Sequence, residues 1–230
     1  MKTLGLIGGI SWFSTSVYYK TINQLVNEQL GGSHSAKLLL YSVDFDEYRT
    51  MQEAGKWGDV EELIGGIALK LEQAGAECIL LCSNTPHLIA DKLIKRIKIP
   101  FLHIADETAK EIKSHDKKKV LLLGTKFTME NTFFTDRLTK HNIEALIPEE
   151  KEREFIHTSI INEFTKGIYR EETKKKYQEI ISSFSKKGAE GVIFGCTEIA
   201  LLMKPEESSL PVFDTTTIHS KAAVKFALQK

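Results

Sequence analysis

The chain has 230 residues, 42% hydrophobic and 27% charged, the balance of a soluble globular protein, and its length suits two domains of roughly 110 residues each. Its 31 Lys and Arg cancel 31 Asp and Glu, so no net field gathers nucleic acid or an anionic membrane surface. No stretch approaches the ~18 apolar residues of a membrane helix, no signal peptide is visible, and three cysteines (Cys78, Cys82 and Cys196) are too few and too odd for a disulfide framework, which points to a reducing cytoplasm.

Short apolar runs at residues 4–7, 38–43, 78–82, 99–102, 120–123, 191–194 and 211–213 read as buried strands, and helical periods lie between most of them. Val17, Ile22, Leu25, Val26 and Leu30 line one helix face, with Ser14 or Thr15 as the expected cap. Val60, Leu63, Ile64, Ile67 and Leu71 line a second, which Asp59 and Glu62 open at capping-box spacing. Thr85-Pro86 places a cap residue before a first-turn proline, so a helix should start directly after the third strand. Tyr177, Ile180, Ile181 and Phe184 form a further stripe, ended by Gly188. Alternation of strand and helix at this spacing predicts an α/β fold with mainly parallel sheets flanked by helices. Ligands in such sheets sit at the carboxyl ends of strands.

The sequence also repeats itself. Lys2-Thr3-Leu4-Gly5-Leu6-Ile7-Gly8-Gly9 parallels Lys118-Lys119-Val120-Leu121-Leu122-Leu123-Gly124-Thr125. The stretch from Gly75-Ala76-Glu77 to Ser83-Asn84-Thr85 parallels that from Gly188-Ala189-Glu190 to Cys196-Thr197-Glu198. Two pseudo-symmetric domains follow, expected at 1–100 plus 208–230 and at 101–207, with the active site in the interdomain cleft. The polar segment 113–119 and the run Lys174-Lys175-Lys176 read as solvated surface.

Cys196 is the sharpest chemical candidate. It follows an apolar strand and precedes a helical stretch, a position expected to stabilise a thiolate. The repeat pairs Ser83 with Cys196 and Cys82 with Gly195. Strand side chains alternate, so Ser83 should face the site while Cys82, and Cys78 of the same parity, pack in the core. No second pair of His or Cys ligands lies at zinc spacing, so no metal is expected. Gly8-Gly9 fits a turn that lets a small anion approach the backbone, with Ser11, Ser14 and Thr15 as hydroxyl donors. Gly124-Thr125-Lys126-Phe127-Thr128 repeats that pattern. Nucleotide loops are absent.

Taken together, Gly8-Gly9-Ile10-Ser11-Trp12, the segment from Cys82 to His87, Gly124-Thr125-Lys126-Phe127-Thr128, Gly195-Cys196-Thr197-Glu198 and Asp214-Thr215-Thr216 resemble the aspartate/glutamate racemase family, most closely its aspartate racemase branch. The resemblance runs in order along nearly the whole chain. It implies two pseudo-symmetric α/β domains, catalysis without pyridoxal phosphate or metal, a homodimer, and a small acidic amino acid as the only partner besides itself. It also implies roles for individual residues. Asn84, Thr85, Thr125 and Thr128 match positions that hold the α-carboxylate, and Arg49 and Lys166 match cations that hold the side-chain carboxylate. Glu198 orients the Cys196 region or takes the substrate ammonium, and His87 is either a supporting donor or a helix-start histidine.

The chain departs from the family pattern at two places. Ser83 stands where a second cysteine is usual, and Phe13 where an acidic residue is common. A hydroxyl is a far weaker acid than a thiol, whose pKa of about 8.5 can be drawn toward the working pH. The resemblance assigns the thiol of the second half to the proton of the L enantiomer. The resulting expectation is a racemase of aspartate or glutamate biased toward L, with Cys196 as main base and Ser83 opposite. The alternatives are a one-thiol decarboxylase or isomerase of a small dicarboxylate, and a non-catalytic acidic amino-acid-binding protein.

Overall fold

The computed structural model describes residues 1–229. The chain divides into two compact units, Met1–Ile104 joined by the C-terminal stretch from His219, and Ala105–Ile218.

In the first unit the order is β1 (Leu4–Gly8), α1 (Trp12–Leu30), β2 (Leu38–Ser42), α2 (Phe45–Glu53), α3 (Trp57–Gln73), β3 (Cys78–Leu81), a 3-10 turn (Thr85–Ile89) and α4 (Ala90–Leu93). The second begins with α5 (Ile104–Ser114), followed by β4 (Lys119–Leu123), α6 (Lys126–Glu130), α7 (Thr132–Lys140), β5 (Glu144–Leu146), α8 (Glu150–Asn162), a 3-10 turn (Phe164–Lys166), α9 (Glu171–Lys186), β6 (Gly191–Phe194), α10 (Ile199–Leu202) and β7 (Val212–Asp214). The last helix, α11 (Thr215–Leu228), carries the chain back into the first unit.

Both sheets are parallel. The first is ordered β2-β1-β3 and the second β5-β4-β6-β7. Strands covered on both faces must be apolar on both, and β1, β3 and β6 are buried along their whole length. Alternation sorts their side chains. Leu4, Leu6, Cys78, Leu80 and Cys82 pack with Tyr18, Ile22 and Val26 of α1 and with Ala223, Val224 and Ala227 of α11. Ile7, Ile79 and Leu81 turn to the other face and pack against Val60, Ile64 and Ile67 of α3. In the second unit Leu121, Leu123, Val192 and Phe194 pack with Ile156 and Ile160 of α8 and with Tyr177, Ile180, Ile181 and Phe184 of α9.

The repeat seen in the sequence is a repeat of structure. Leu4–Ile7 registers with Cys78–Leu81 as Val120–Leu123 registers with Gly191–Phe194. The amide of Cys82 donates to the Ile7 carbonyl, and that of Gly195 to the Leu123 carbonyl, at 2.9 and 2.7 Å. The Gly-Ala-Glu triplets do one job twice. Gly75 and Gly188 take left-handed backbone, φ 96° and 90°, after α3 and α9, which a residue without Cβ adopts freely. Glu77 Oε2 accepts from the Thr3 amide at 2.6 Å, and Glu190 Oε2 from the Lys118 and Lys119 amides at 2.7 and 3.0 Å. Each glutamate thereby ties its strand to the strand that precedes it in the sheet.

Several boundaries differ from expectation. Residues 212–214 pair with β6, so the segment from 208 to 218 belongs with the second unit, and residues 101–104 belong with the first. Of the run 99–102 only Phe101 bridges to a strand, at Ile79. The cap of α1 is Ser11 rather than Ser14 or Thr15; those two face inward and are buried. Helix α3 starts at Trp57 with Lys56 at the N-cap and no side-chain cap, so Asp59 lies inside its first turn and Glu62 pairs instead with Arg96 at 2.8 Å.

Candidate active site

In the first unit the strand ends are built by α1 and the turn after β3. Thr15 Oγ1 accepts from the Gly9 amide at 2.8 Å and donates to the Ser11 carbonyl at 2.9 Å. Ser14 Oγ donates to the Cys82 carbonyl at 2.5 Å. Ser11 Oγ caps the Ser14 amide at 3.5 Å. These hydroxyls hold the fold, and the Gly9 amide is already taken, so the expected anion cradle at Gly8-Gly9 is filled from within. A Cβ on Gly8 would run into Thr15.

Cys82 is buried in the core beside Cys78. Burial pushes the Cys78 thiol up to about 12 and that of Cys82 higher still. Ser83, one residue on, is half-buried, and Asn84 is 5% exposed. Thr85 and Pro86 open the 3-10 turn, whose N-cap is Asn84 rather than Thr85. His87 folds back on this turn. Its Nδ1 lies 2.9 Å from the Ser83 carbonyl oxygen and 3.2 Å from that of Asn84, and the Ile104 amide donates to its Nε2 at 3.3 Å. Arg49, on α2, is exposed and paired with Asp46 at 3.0 Å and Glu53 at 3.8 Å.

In the second unit Thr125 caps α6. Its Oγ1 accepts from the Thr128 amide at 3.3 Å and lies 3.3 Å from Thr128 Oγ1. Thr128 is fully buried, so these two expected carboxylate ligands are brought together, as Ser11 and Ser14 are in the first unit. Lys166 is exposed at the end of its 3-10 turn and has no carboxylate partner among the described residues.

Cys196 lies two residues past the end of β6 and is half-buried. It shares strand parity with Val192 and Phe194 and packs against their core. Its thiol donates to Glu198 Oε2 at 3.0 Å, and Glu198 is 6% exposed. The thiol is held well above its ordinary pKa, first by burial, then by the charge of Glu198 and by the hydrogen bond to it. This corrects the expectation of a stabilised thiolate. The following helix, α10, is a single turn, and the carboxylate beside the sulfur outweighs it. The resting group is a protonated thiol with a proton acceptor at hand.

Two further side chains belong to these surroundings: Tyr169, which the sequence does not mark, and Tyr177, which it marks only as part of a helix stripe. Tyr169 stacks on Phe164 with ring centroids 5.7 Å apart. Its phenol is raised above the usual range by burial, then by the charges of Glu198 and Cys196. Tyr177 bonds Ser159 Oγ at 2.9 Å, and its phenol is raised by burial and then by Cys196 and Glu163. A tyrosine within an aliphatic stripe was the available signal, because a buried phenol needs a partner. Thr197 Oγ1 meets Thr216 Oγ1 at 2.9 Å, and Thr215 Oγ1 donates to the Phe194 carbonyl at 2.9 Å, which fixes both flanks of Cys196. Among the described residues no group of three or more His, Cys, Asp or Glu is arranged to hold a metal ion, and no helix is long and apolar enough to cross a membrane.

Comparison with known proteins agrees with this geometry. Residues 7–223 match the family model of the Asp/Glu/Hydantoin racemases. The structure resembles that of a Yersinia pestis protein provisionally assigned as an Asp/Glu racemase, at 48% identity, TM-score 0.95 and full coverage of both chains. It also resembles an aspartate racemase homologue from Pyrococcus horikoshii OT3, at 34% identity, TM-score 0.89 and full coverage of both. The broad specificity amino-acid racemase RacX of Bacillus subtilis is 25% identical over 227 residues, 96% of either chain. The chain belongs to the Asp/Glu/Hydantoin racemase family and is an enzyme of the racemase class.

Proposed function

We propose that this racemase acts on aspartate or glutamate without pyridoxal phosphate, that it is biased toward the L enantiomer, and that Cys196 is its principal base. The observation that carries the reading is the Cys196–Glu198 hydrogen bond at the end of β6, set against a hydroxyl, Ser83, at the equivalent end of β3.

Racemisation removes the α-proton from one face of the carbon and returns a proton to the other. In the proposed sequence the Cys196 thiol gives its proton to Glu198, and the thiolate takes the α-proton of the L substrate. Negative charge then moves onto the α-carboxylate, where hydrogen-bond donors stabilise it; Thr125, Thr128, Asn84 and Thr85 are assigned that work. Ser83 or a water protonates the far face, and the group that gave the proton recovers one from solvent as Glu198 releases its own. Ser11 supports this region through its cap of α1 rather than by direct contact. Of the two expected cations, Arg49 is already engaged by Asp46 and Glu53, so Lys166 is assigned the side-chain carboxylate.

The test is solvent-deuterium exchange at the α-carbon, followed by NMR with each enantiomer of aspartate and glutamate. Faster exchange from L supports the assignment. Equal rates from D and L overturn the bias, and undiminished exchange in Cys196→Ala overturns the base. The name of the B. subtilis relative makes neutral amino acids a necessary part of the substrate panel.

A further inference from the structure

We propose that His87 is a positioning residue for Ser83 and Asn84, acting as a neutral imidazole with its proton on Nδ1. The inference rests on the reading of Ser83 as the first unit's proton carrier. The tautomer follows from the partners. Two carbonyl oxygens, of Ser83 and Asn84, face Nδ1 at 2.9 and 3.2 Å, and carbonyls accept only, so that nitrogen carries the proton. The Ile104 amide points at Nε2 from 3.3 Å, so that nitrogen presents its lone pair. The ring is 1% exposed and is walled by Phe101, His103 and His219, with centroids 5.6, 4.7 and 5.8 Å away.

Its neighbour His219 is fixed in the complementary sense. Its Nε2 lies 2.9 Å from the Leu102 carbonyl oxygen and its Nδ1 2.9 Å from the Tyr18 hydroxyl, so Nε2–H donates to the carbonyl and Tyr18 donates to Nδ1. Residues 102 and 104 are thus gripped by two histidines, one on each side. Ser83 lies past the last paired residue of β3, where the ladder no longer fixes the chain. The His87 clamp supplies what the ladder stops supplying. It sets the carbonyl of Ser83 and through it the peptide plane, and therefore the height at which the Ser83 hydroxyl and the Asn84 side chain are presented. Misplacement of a reacting group by about 1 Å is enough to cost roughly a hundredfold in rate.

The experiment places His87→Gln and His87→Asn in a Ser83→Cys background and reads α-deuterium exchange from D- and L-aspartate with kcat and KM separated. The asparagine amide retains a donor near the Nδ1 place, whereas the glutamine amide reaches toward the Nε2 place and leaves the Ser83 carbonyl unserved, the Asn84 carbonyl keeping the residue 87 backbone amide at 3.0 Å. A positioning role is supported if Gln lowers kcat for the D substrate about tenfold or more, leaves the L rate within about twofold, and Asn restores most of the D rate. A parallel fall of both enantiomers together with Tm, or no change in either, overturns it. Nitrogen-15 NMR of the histidines in the unsubstituted protein is the independent arm: a proton on Nε2, or on both nitrogens at neutral pH, overturns the tautomer and with it the clamp. If Ser83→Cys itself gains no D exchange, the Ser83 reading on which the clamp depends has failed, and the NMR result then separates that failure from an error about His87.

Discussion

The Cys196 thiol donates to Oε2 of Glu198 across 3.0 Å, and this contact decides what the sulfur can do at neutral pH. A carboxylate beside a thiol opposes formation of the thiolate twice, by its charge and by favouring the S–H form it accepts from. In the proposed function the same carboxylate receives that proton when substrate binds.

Glu198→Gln removes both effects and leaves the burial. The expected outcome is a downward shift of the Cys196 titration, read as thiolate absorbance or as the pH dependence of iodoacetamide modification. Cys78 and Cys82 are buried and themselves shifted upward by burial, so they do not obscure the reading. L-side exchange should fall in the same variant, because the acceptor for the thiol proton is gone. A titration unmoved by the substitution would show that Glu198 does not govern the sulfur.

Ser83→Cys places a thiol at the end of β3, at the position equivalent to Cys196. Exchange from D-aspartate or D-glutamate should rise by about a hundredfold, the scale of general acid–base assistance, while exchange from L changes little. The comparison of both enantiomers by deuterium incorporation checks it. A Ser83→Ala variant that keeps full racemisation would show that water, not the hydroxyl, serves the far face.

His219 gives an acid limit to stability. Burial lowers its pKa from 6.5 to about 4, against a smaller upward push from the Leu102 carbonyl. The folded state therefore binds the proton more weakly than the unfolded chain. Its stabilising difference is present in full above pH 6.5, is lost as pH falls toward 4, and amounts to about 3 kcal/mol at 1.36 kcal/mol for each pH unit. Urea titrations between pH 7 and 4 should show that decline, and His219→Gln should flatten it.

Gly195 is a packing constraint next to Cys196. A Cβ there would stand 2.8 Å from the Leu123 carbonyl oxygen and 3.3 Å from Thr128 Cγ2. Gly195→Ala should cost about 1–3 kcal/mol of stability, the usual price of overpacking, and should also slow L-side exchange by displacing Cys196. Retention of both stability and rate would show that the β6 end has slack.

Much of this molecule could be read from its residues. Buried parallel strands are apolar on both faces, so the runs at 4–7, 78–82 and 191–194 stand out in the sequence, and period-two alternation separates Cys82 from Ser83. Glu144-Ala145-Leu146 was not read as a strand because an edge strand of three residues, one of them exposed, has too little pattern to register. In the sequence Ser14 and Thr15 suit a cap or an anion ligand, yet their bonds run to the Cys82 and Ser11 carbonyls and the Gly9 amide, partners distant or ambiguous in sequence. The sense of the Cys196 shift was likewise hidden, since it depends on where Glu198 turns its carboxylate and on how much water the fold removes. The partners of His87 and the proximity of Tyr169 to the sulfur come from the path of the backbone after the strands end.

The twin latches at Glu77 and Glu190 make the protein its own control. Each carboxylate fastens one sheet through the same amide-to-carboxylate stitch, in two cores of unrelated side chains. Clipping one stitch by substitution to alanine, which leaves no acceptor for the amide, perturbs a single half and leaves the duplicate intact as a reference inside the same polypeptide. Hydrogen exchange at the amides of Thr3 and Lys119 then reports the two halves side by side, under identical solvent and temperature, and measures how far damage in one is felt by the other.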